Sequence, residues 1–136
     1  MLVKTFGFAV HGINATKVTI EVNIAQGVNF FIVGLPDNAV KESQQRIRAA
    51  LNNHGYKIPG KTITVNMAPA DIRKEGSAYD LTIAIGILGA SEQINAENID
   101  KYAIMGELSL DGEIRPIRGC LPIAISKTTT AASSAF

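Results

Sequence analysis

The stretch Gly55-Tyr-Lys-Ile-Pro-Gly-Lys-Thr-Ile-Thr-Val-Asn-Met67 admits two incompatible readings, and choosing between them decides the fold. Its first eight residues match the phosphate-loop spacing G-x-x-x-x-G-K-[ST]. That chemistry needs a strand before the loop and a helix after it, so that helix amides and the helix dipole face the phosphates. Here the order is reversed. From Lys61 to Met67 apolar and polar residues alternate and β-branched side chains dominate, which is the pattern of a half-buried strand. Residues 38–53, ahead of the motif, are rich in helix formers and carry a stripe of Val40, Ile47, Ala50 and Leu51. Pro59 also lacks the amide a phosphate cradle would use. Gly55, Gly60, Lys61 and Thr62 therefore read as a chance match, and residues 55–60 as a helix-to-strand turn.

On the N-terminal side, Lys17-Val-Thr-Ile-Glu-Val-Asn-Ile24 alternates with period two, and residues 3–10 supply a partner strand across a turn at 12–14. Residues 29–33 form a third apolar run, closed by Gly34-Leu-Pro36. Asp37 is placed to cap the following helix, and Gly55 to stop it. Arg46 and Arg48 on that helix read as a solvated polar face. On the C-terminal side, residues 72–77 are a polar loop. Residues 79–93 form a helix apolar on most sides, hence buried. Asp111-Gly112 joins strands 102–110 and 113–117 as a hairpin. Residues 120–127 begin another helix. The order predicts a mixed α/β domain of the α+β type, with a sheet layer and a helix layer.

The chain has 136 residues, of which 46% are hydrophobic, enough for one domain with its own core. A net charge of +1 predicts no nucleic-acid affinity from overall field alone. The single cysteine, Cys120, excludes an internal disulfide framework and fits a reducing compartment. No run approaches the ~20 apolar residues of a membrane span, and the first ten residues lack the layout of a signal peptide. The expectation is a cytoplasmic protein without membrane contact. Metal binding is not expected, because His11, His54 and Cys120 show no ligand spacing; His54 reads as a ring suited to a helix C-terminus. Ser77 sits at the mouth of a helix, where a nucleophile would need a positioned base.

Two stretches carry a resemblance: Lys74-Glu-Gly-Ser-Ala-Tyr-Asp-Leu81 and Gly106-Glu-Leu-Ser-Leu-Asp-Gly-Glu-Ile-Arg-Pro-Ile117. With Gly34-Leu-Pro36, residues 62–71 and residues 80–88, they resemble the N-terminal domain of the magnesium-chelatase-like AAA+ ATPases, the ComM or YifB family. The resemblance covers residues 3–125. It implies a fold similar to the Lon proteolytic domain and the RadA C-terminal domain. It further implies that residues 1–126 are the Lon-like N-terminal domain of a longer AAA+ protein, with 127–136 a low-complexity tail. ATP and magnesium are then expected for the parent protein and no cofactor for this part. The implied partners are its own AAA+ module and neighbouring protomers of a ring, with DNA a further one for the parent.

Lon-type enzymes carry Lys-Asp-Gly-Pro-Ser-Ala-Gly at their nucleophile. Laid on residues 74–80, that pattern puts Ser77 in the proline slot and Ala78 in the nucleophile slot. The lysine slot falls on Leu121, and Lys127 lies on another face of its helix. The resemblance therefore implies the fold without the chemistry: no catalytic residue, and not an enzyme in this part. What remains is an interaction surface of Asp71, Arg73, Lys74, Glu75, Arg115 and Arg118, in two charged loops suited to subunit contact or to weak, salt-sensitive contact with a nucleic-acid backbone. The expected role is a non-catalytic accessory domain, for assembly or substrate contact, of an ATPase tied to DNA processing. The alternative is a degenerate Lon-type hydrolase, or a nucleotide binder using residues 55–62.

Overall fold

A computed structural model describes residues 1–117. Four strands, β1 (Leu2–His11), β2 (Asn14–Ala25), β3 (Phe30–Val33) and β4 (Thr62–Ala68), form one sheet in the order β1-β2-β4-β3. β1 and β4 run antiparallel to β2, while β3 is parallel to β4. A parallel pair needs a crossover. Helices α1 (Asn38–Lys41) and α2 (Ser43–Asn53) provide it. Helix α3 (Asp80–Ala90) follows, then a short 3-10 turn (Ile99–Lys101) and a small antiparallel pair, β5 (Glu107–Leu108) and β6 (Ile114–Arg115).

The alternation read from the sequence sets the layers. Val18, Ile20, Val22, Ile63, Val65 and Met67 point to one face and are buried there. α3 covers that face and α2 packs beside it, burying the stripe Val40, Ile47, Ala50 and Leu51. Gly86 lets α3 come close: a Cβ there would lie 2.6 Å from Val22 Cγ2. The result is the expected mixed α/β, two-layer arrangement. Among the described residues no helix is long and apolar enough to cross a membrane.

Three expectations change. The helix over residues 38–53 is broken at Glu42. Arg46 Nη2 donates to the Ala39 carbonyl at 2.9 Å, the acceptor that a continuous helix would offer to the amide of residue 43. The cap itself forms as read: Asp37 Oδ1 accepts from the Val40 amide at 2.8 Å. Secondly, the hairpin strands shrink to two residues each, paired Glu107 with Arg115 and Leu108 with Ile114. Asp111-Gly112 is part of a five-residue loop, not a two-residue turn. Ser109 Oγ donates to the Asp111 carboxylate and accepts from the Glu113 amide at 2.9 Å, and these side-chain bonds hold the wider loop. Residues 102–106 lie beside β1, where the Ile104 amide donates to Phe6 O at 2.8 Å. Finally, α3 stops at Ala90, short of residue 93, where Glu92 turns into a left-handed conformation. The helix expected over 120–127 lies outside the described residues, as do Arg118, Cys120, Leu121, Lys127 and the tail.

Candidate functional site

The start of α3 is where the elements converge. Asp80 is the only charge in α3, and its side chain is 0% exposed. A buried carboxylate needs a partner and hydrogen bonds. Arg46 provides both, through Nε to Oδ2 at 2.6 Å and Nη2 to Oδ1 at 2.9 Å. The Leu108 amide donates to Oδ2 at 3.1 Å. One ion pair thus ties α2, α3 and β5 together, and through Ala39 it reaches α1. This corrects the reading of Arg46 as part of a solvated face: its side chain is 21% exposed and bonded through Nε and Nη2.

The charged loop before α3 also differs from its reading as an interaction surface. Asp71, Arg73 and Glu75 are exposed, with Arg73 and Glu75 paired at 3.2 Å. Lys74 is 0% exposed. Its Nζ donates to the carbonyls of Gly34, at 2.7 Å, and Pro69. The loop backbone is fastened at the same place, since the Lys74 amide donates to Leu35 O and the Asp37 amide to Lys74 O. Desolvation pulls the Lys74 pKa down, and Asp71 partly offsets it. Lys74 therefore leaves the expected interaction surface and becomes the pin that shapes it. Gly34 fits the pin's other end, at φ +103 and so close to the Met67 carbonyl that no Cβ has room.

The two charged loops meet at Glu107. Its carboxylate accepts from Ser77 Oγ and, at 3.2 Å, from Arg115 Nη1. Both donors hold the Glu107 carboxyl below the usual carboxylate range, Ser77 first. Ser77 and Glu107 line a cleft of about 670 Å³, together with Phe8, Asp37, Tyr79 and Ile117. No lysine reaches Ser77 among the described residues; the nearest in sequence, Lys74, bonds to backbone carbonyls.

Tyr79 floors this cleft, donating from its hydroxyl to Phe8 O at 3.1 Å. Burial, with the nearby Asp37 and Glu75 carboxylates, pushes its pKa up from 10 to about 12. The unfolded chain releases this proton first, so Tyr79 contributes stability below pH 10 that is lost as pH rises toward 12. The full loss is about 2–3 kcal/mol. In urea titrations at stepped alkaline pH, Tyr79→Phe is expected to show a shallower decline than the parent chain.

The phosphate-loop match does not build a phosphate site. Gly55, at φ +80, follows α2; Lys61 is exposed in the connecting loop; Thr62 begins β4. Helix precedes and strand follows, the reverse of the order in which a helix N-terminus faces a phosphate loop. His54 caps α2 and turns its ring to the hairpin, Nε2 lying 2.9 Å from Asp111 O. Among the described residues no group of three or more His, Cys, Asp or Glu is placed to hold a metal ion.

Comparison with known proteins follows the same lines. The family model described as subunit ChlI of Mg-chelatase matches residues 20–136. The YifB protein of Escherichia coli (strain K12) is 48% identical over 124 residues, covering 90% of this chain and 24% of its own length. Competence protein ComM of Haemophilus influenzae is 47% identical over 116 residues, 85% of this chain and 23% of its own length. Lon protease 2 of Bacillus subtilis is 32% identical over 82 residues, 60% of this chain and 14% of its own, a weaker likeness compatible with the sheet-and-helix fold. The chain spans about a quarter of the length of YifB and ComM. By its family match and by these identities, the chain belongs to the magnesium-chelatase-like ComM and YifB family.

Proposed function

We propose that this chain is a non-catalytic accessory domain, serving assembly or substrate contact, of a magnesium-chelatase-like AAA+ ATPase. The observation that carries the reading is the state of Ser77. Its hydroxyl donates to Glu107, whose carboxyl is held low by Ser77 and Arg115. A general base works best with a pKa near the operating pH, and Glu107 is shifted the other way. Lys74, the lysine nearest to Ser77 in sequence, spends its ammonium on two carbonyls.

ATP and magnesium belong, in this reading, to parts of the longer protein, which fits relatives four times as long as the matched region. The relative named as a competence protein supports a role of the parent in DNA processing. Direct DNA contact by this domain is a minor element of the proposal, because Arg115 is already paired with Glu107. We place the parent in the cytoplasm.

The test is a titration of a fluorescent ATP analogue with magnesium into the chain and into Lys61→Ala, beside a peptidase assay of the chain and Ser77→Ala. Neither protein is expected to bind the nucleotide or cleave peptide. Binding lost in Lys61→Ala would establish a nucleotide domain instead, and cleavage lost in Ser77→Ala a hydrolase.

A further inference from the structure

The sequence reads as one helix over residues 38–53, and the structure breaks it at a single residue. Glu42 separates α1 from α2 yet keeps a right-handed helical backbone, at φ −67 and ψ −16. No proline or glycine lies between Asn38 and Asn53. The break has another of the usual causes, a side chain inserted into the ladder of i→i−4 bonds. That side chain is Arg46, whose Nη2 donates to the Ala39 carbonyl at 2.9 Å. Just beyond, the Gln45 amide donates to Glu42 O at 3.0 Å, a tighter three-residue step. Such steps inside a helix often mark hinges.

A second donor for the Ala39 carbonyl is idle. Ser43 is 0% exposed, and its Oγ has no hydrogen-bond partner among the described residues. In a continuous helix a serine hydroxyl bonds back to the carbonyl four residues earlier, which for Ser43 is Ala39. A buried hydroxyl left without a partner is costly. Arg46 can release Ala39 without leaving Asp80, because Nε and Nη2 both bond to that carboxylate.

The head of α1 is tied to the cleft. Asp37 accepts from the Val40 amide through Oδ1, at 2.8 Å, and from the Gly76 amide through Oδ2, at 3.1 Å. Asp37, Gly76 and Ser77 line the cleft with Glu107. A change in the tilt of α1 therefore reaches the cleft through one carboxylate.

We propose that the α1–α2 junction is a two-state hinge that couples the Ala39 carbonyl to the shape of the cleft. In the described state Arg46 holds Ala39 and the Ser43 hydroxyl is idle. In the other state Ser43 takes Ala39 through its amide and hydroxyl, Arg46 keeps Asp80 alone, and residues 38–53 run as one helix. Glu42 is helical already, so the change exchanges bond partners without crossing a forbidden backbone region. α1 then tilts and draws Asp37 away from Gly76. Any molecule that enters the cleft in one state only shifts the hinge toward that state. The inference goes beyond the accessory role and holds whichever partner that role involves.

The test is amide hydrogen exchange of the 136-residue chain, read residue by residue by NMR. Arg46→Lys keeps a cation for Asp80, but a point charge does not fork to Ala39 as well. Relative to Ile47, its Ser43 amide is expected to exchange about tenfold more slowly than in the parent chain, and its Gly76 amide severalfold faster. Ser43→Ala removes the idle hydroxyl and is expected to hold the described state, with no loss of stability in urea and no faster exchange at Gly76. If Arg46→Lys does not fold, relaxation dispersion on the parent decides. A common exchange rate is then expected at residues 39–43 and at Gly76, and none in Ser43→Ala. Equal Ser43 protection in parent and Arg46→Lys overturns the inference. So does a Gly76 amide that fails to follow Ser43, or, without a folded Arg46→Lys, a flat dispersion profile in the parent.

Discussion

Arg46→Ala is expected to destabilise the chain by about 3–5 kcal/mol, the usual cost of removing one partner from a buried ion pair. The loss is large because of what stays behind. Asp80 keeps its full burial and retains only the Leu108 amide. The substitution also frees the Ala39 carbonyl and so loosens the α1–α2 junction. A domain of this size has only about 5–15 kcal/mol in total, so the variant is expected to sit near its unfolding transition. Urea unfolding of parent and variant measures the difference. The double change Arg46→Met with Asp80→Asn removes both charges, and it is expected to recover part of the loss. If Arg46→Ala unfolds at the same urea concentration as the parent, Asp80 is not held by this pair.

Lys74→Met is expected to lower stability by about 2–4 kcal/mol. Methionine keeps most of the stem's volume, so the change isolates the ammonium. Two opposing effects compete. Removing a buried charge relieves its desolvation cost, and such replacements are sometimes neutral. Against that, the carbonyls of Gly34 and Pro69 lose a charged donor inside the protein, at about 1–3 kcal/mol each. Two acceptors losing one donor outweigh the relief. The pH dependence separates the two effects. The folded Lys74 pKa lies below the ordinary lysine value of 10.5. Between the folded value and 10.5 the unfolded chain binds more protons, so this residue makes stability rise with pH across that window. Lys74→Met abolishes that rise and leaves the Tyr79 decline above pH 10 in place. Because Lys74 fastens the loop of Asp71, Arg73 and Glu75, limited proteolysis of residues 70–76 is expected to quicken in the variant. An unchanged urea midpoint with an unchanged alkaline slope would remove Lys74 from its role as a pin.

The layers were legible because they depend on short-range pattern. Period-two alternation from Lys61 to Met67 and from Lys17 to Ile24 assigns every second residue to one face, and those residues are the buried ones. Apolar residues on all sides of α3 announced a central helix, and Asp37 and Gly55 marked the ends of the helical region. The phosphate-loop motif could be set aside from the same pattern. The candidate site was legible only in part. Glu75 and Arg115 were read as charges in two loops, and both belong to the region around Glu107. Arg46 was read as solvated and Lys74 as part of an interaction surface, because a charge in a polar stretch usually faces outward. A sharper signal was present in Asp80: one carboxylate in an apolar helix must be buried, and a buried carboxylate requires a cation from elsewhere in the chain.

By itself, then, the sequence determined the order of elements, the face each turns to the core and the family to which the chain belongs. Those follow from residues close together along the chain, where backbone geometry imposes the period. Only the tertiary structure decided which charges are buried, since Arg46 lies thirty-four positions from Asp80 and Lys74 forty from Gly34. It also decided that Ser77 meets Glu107. Pairings over such distances depend on how whole layers dock, and no local period encodes them.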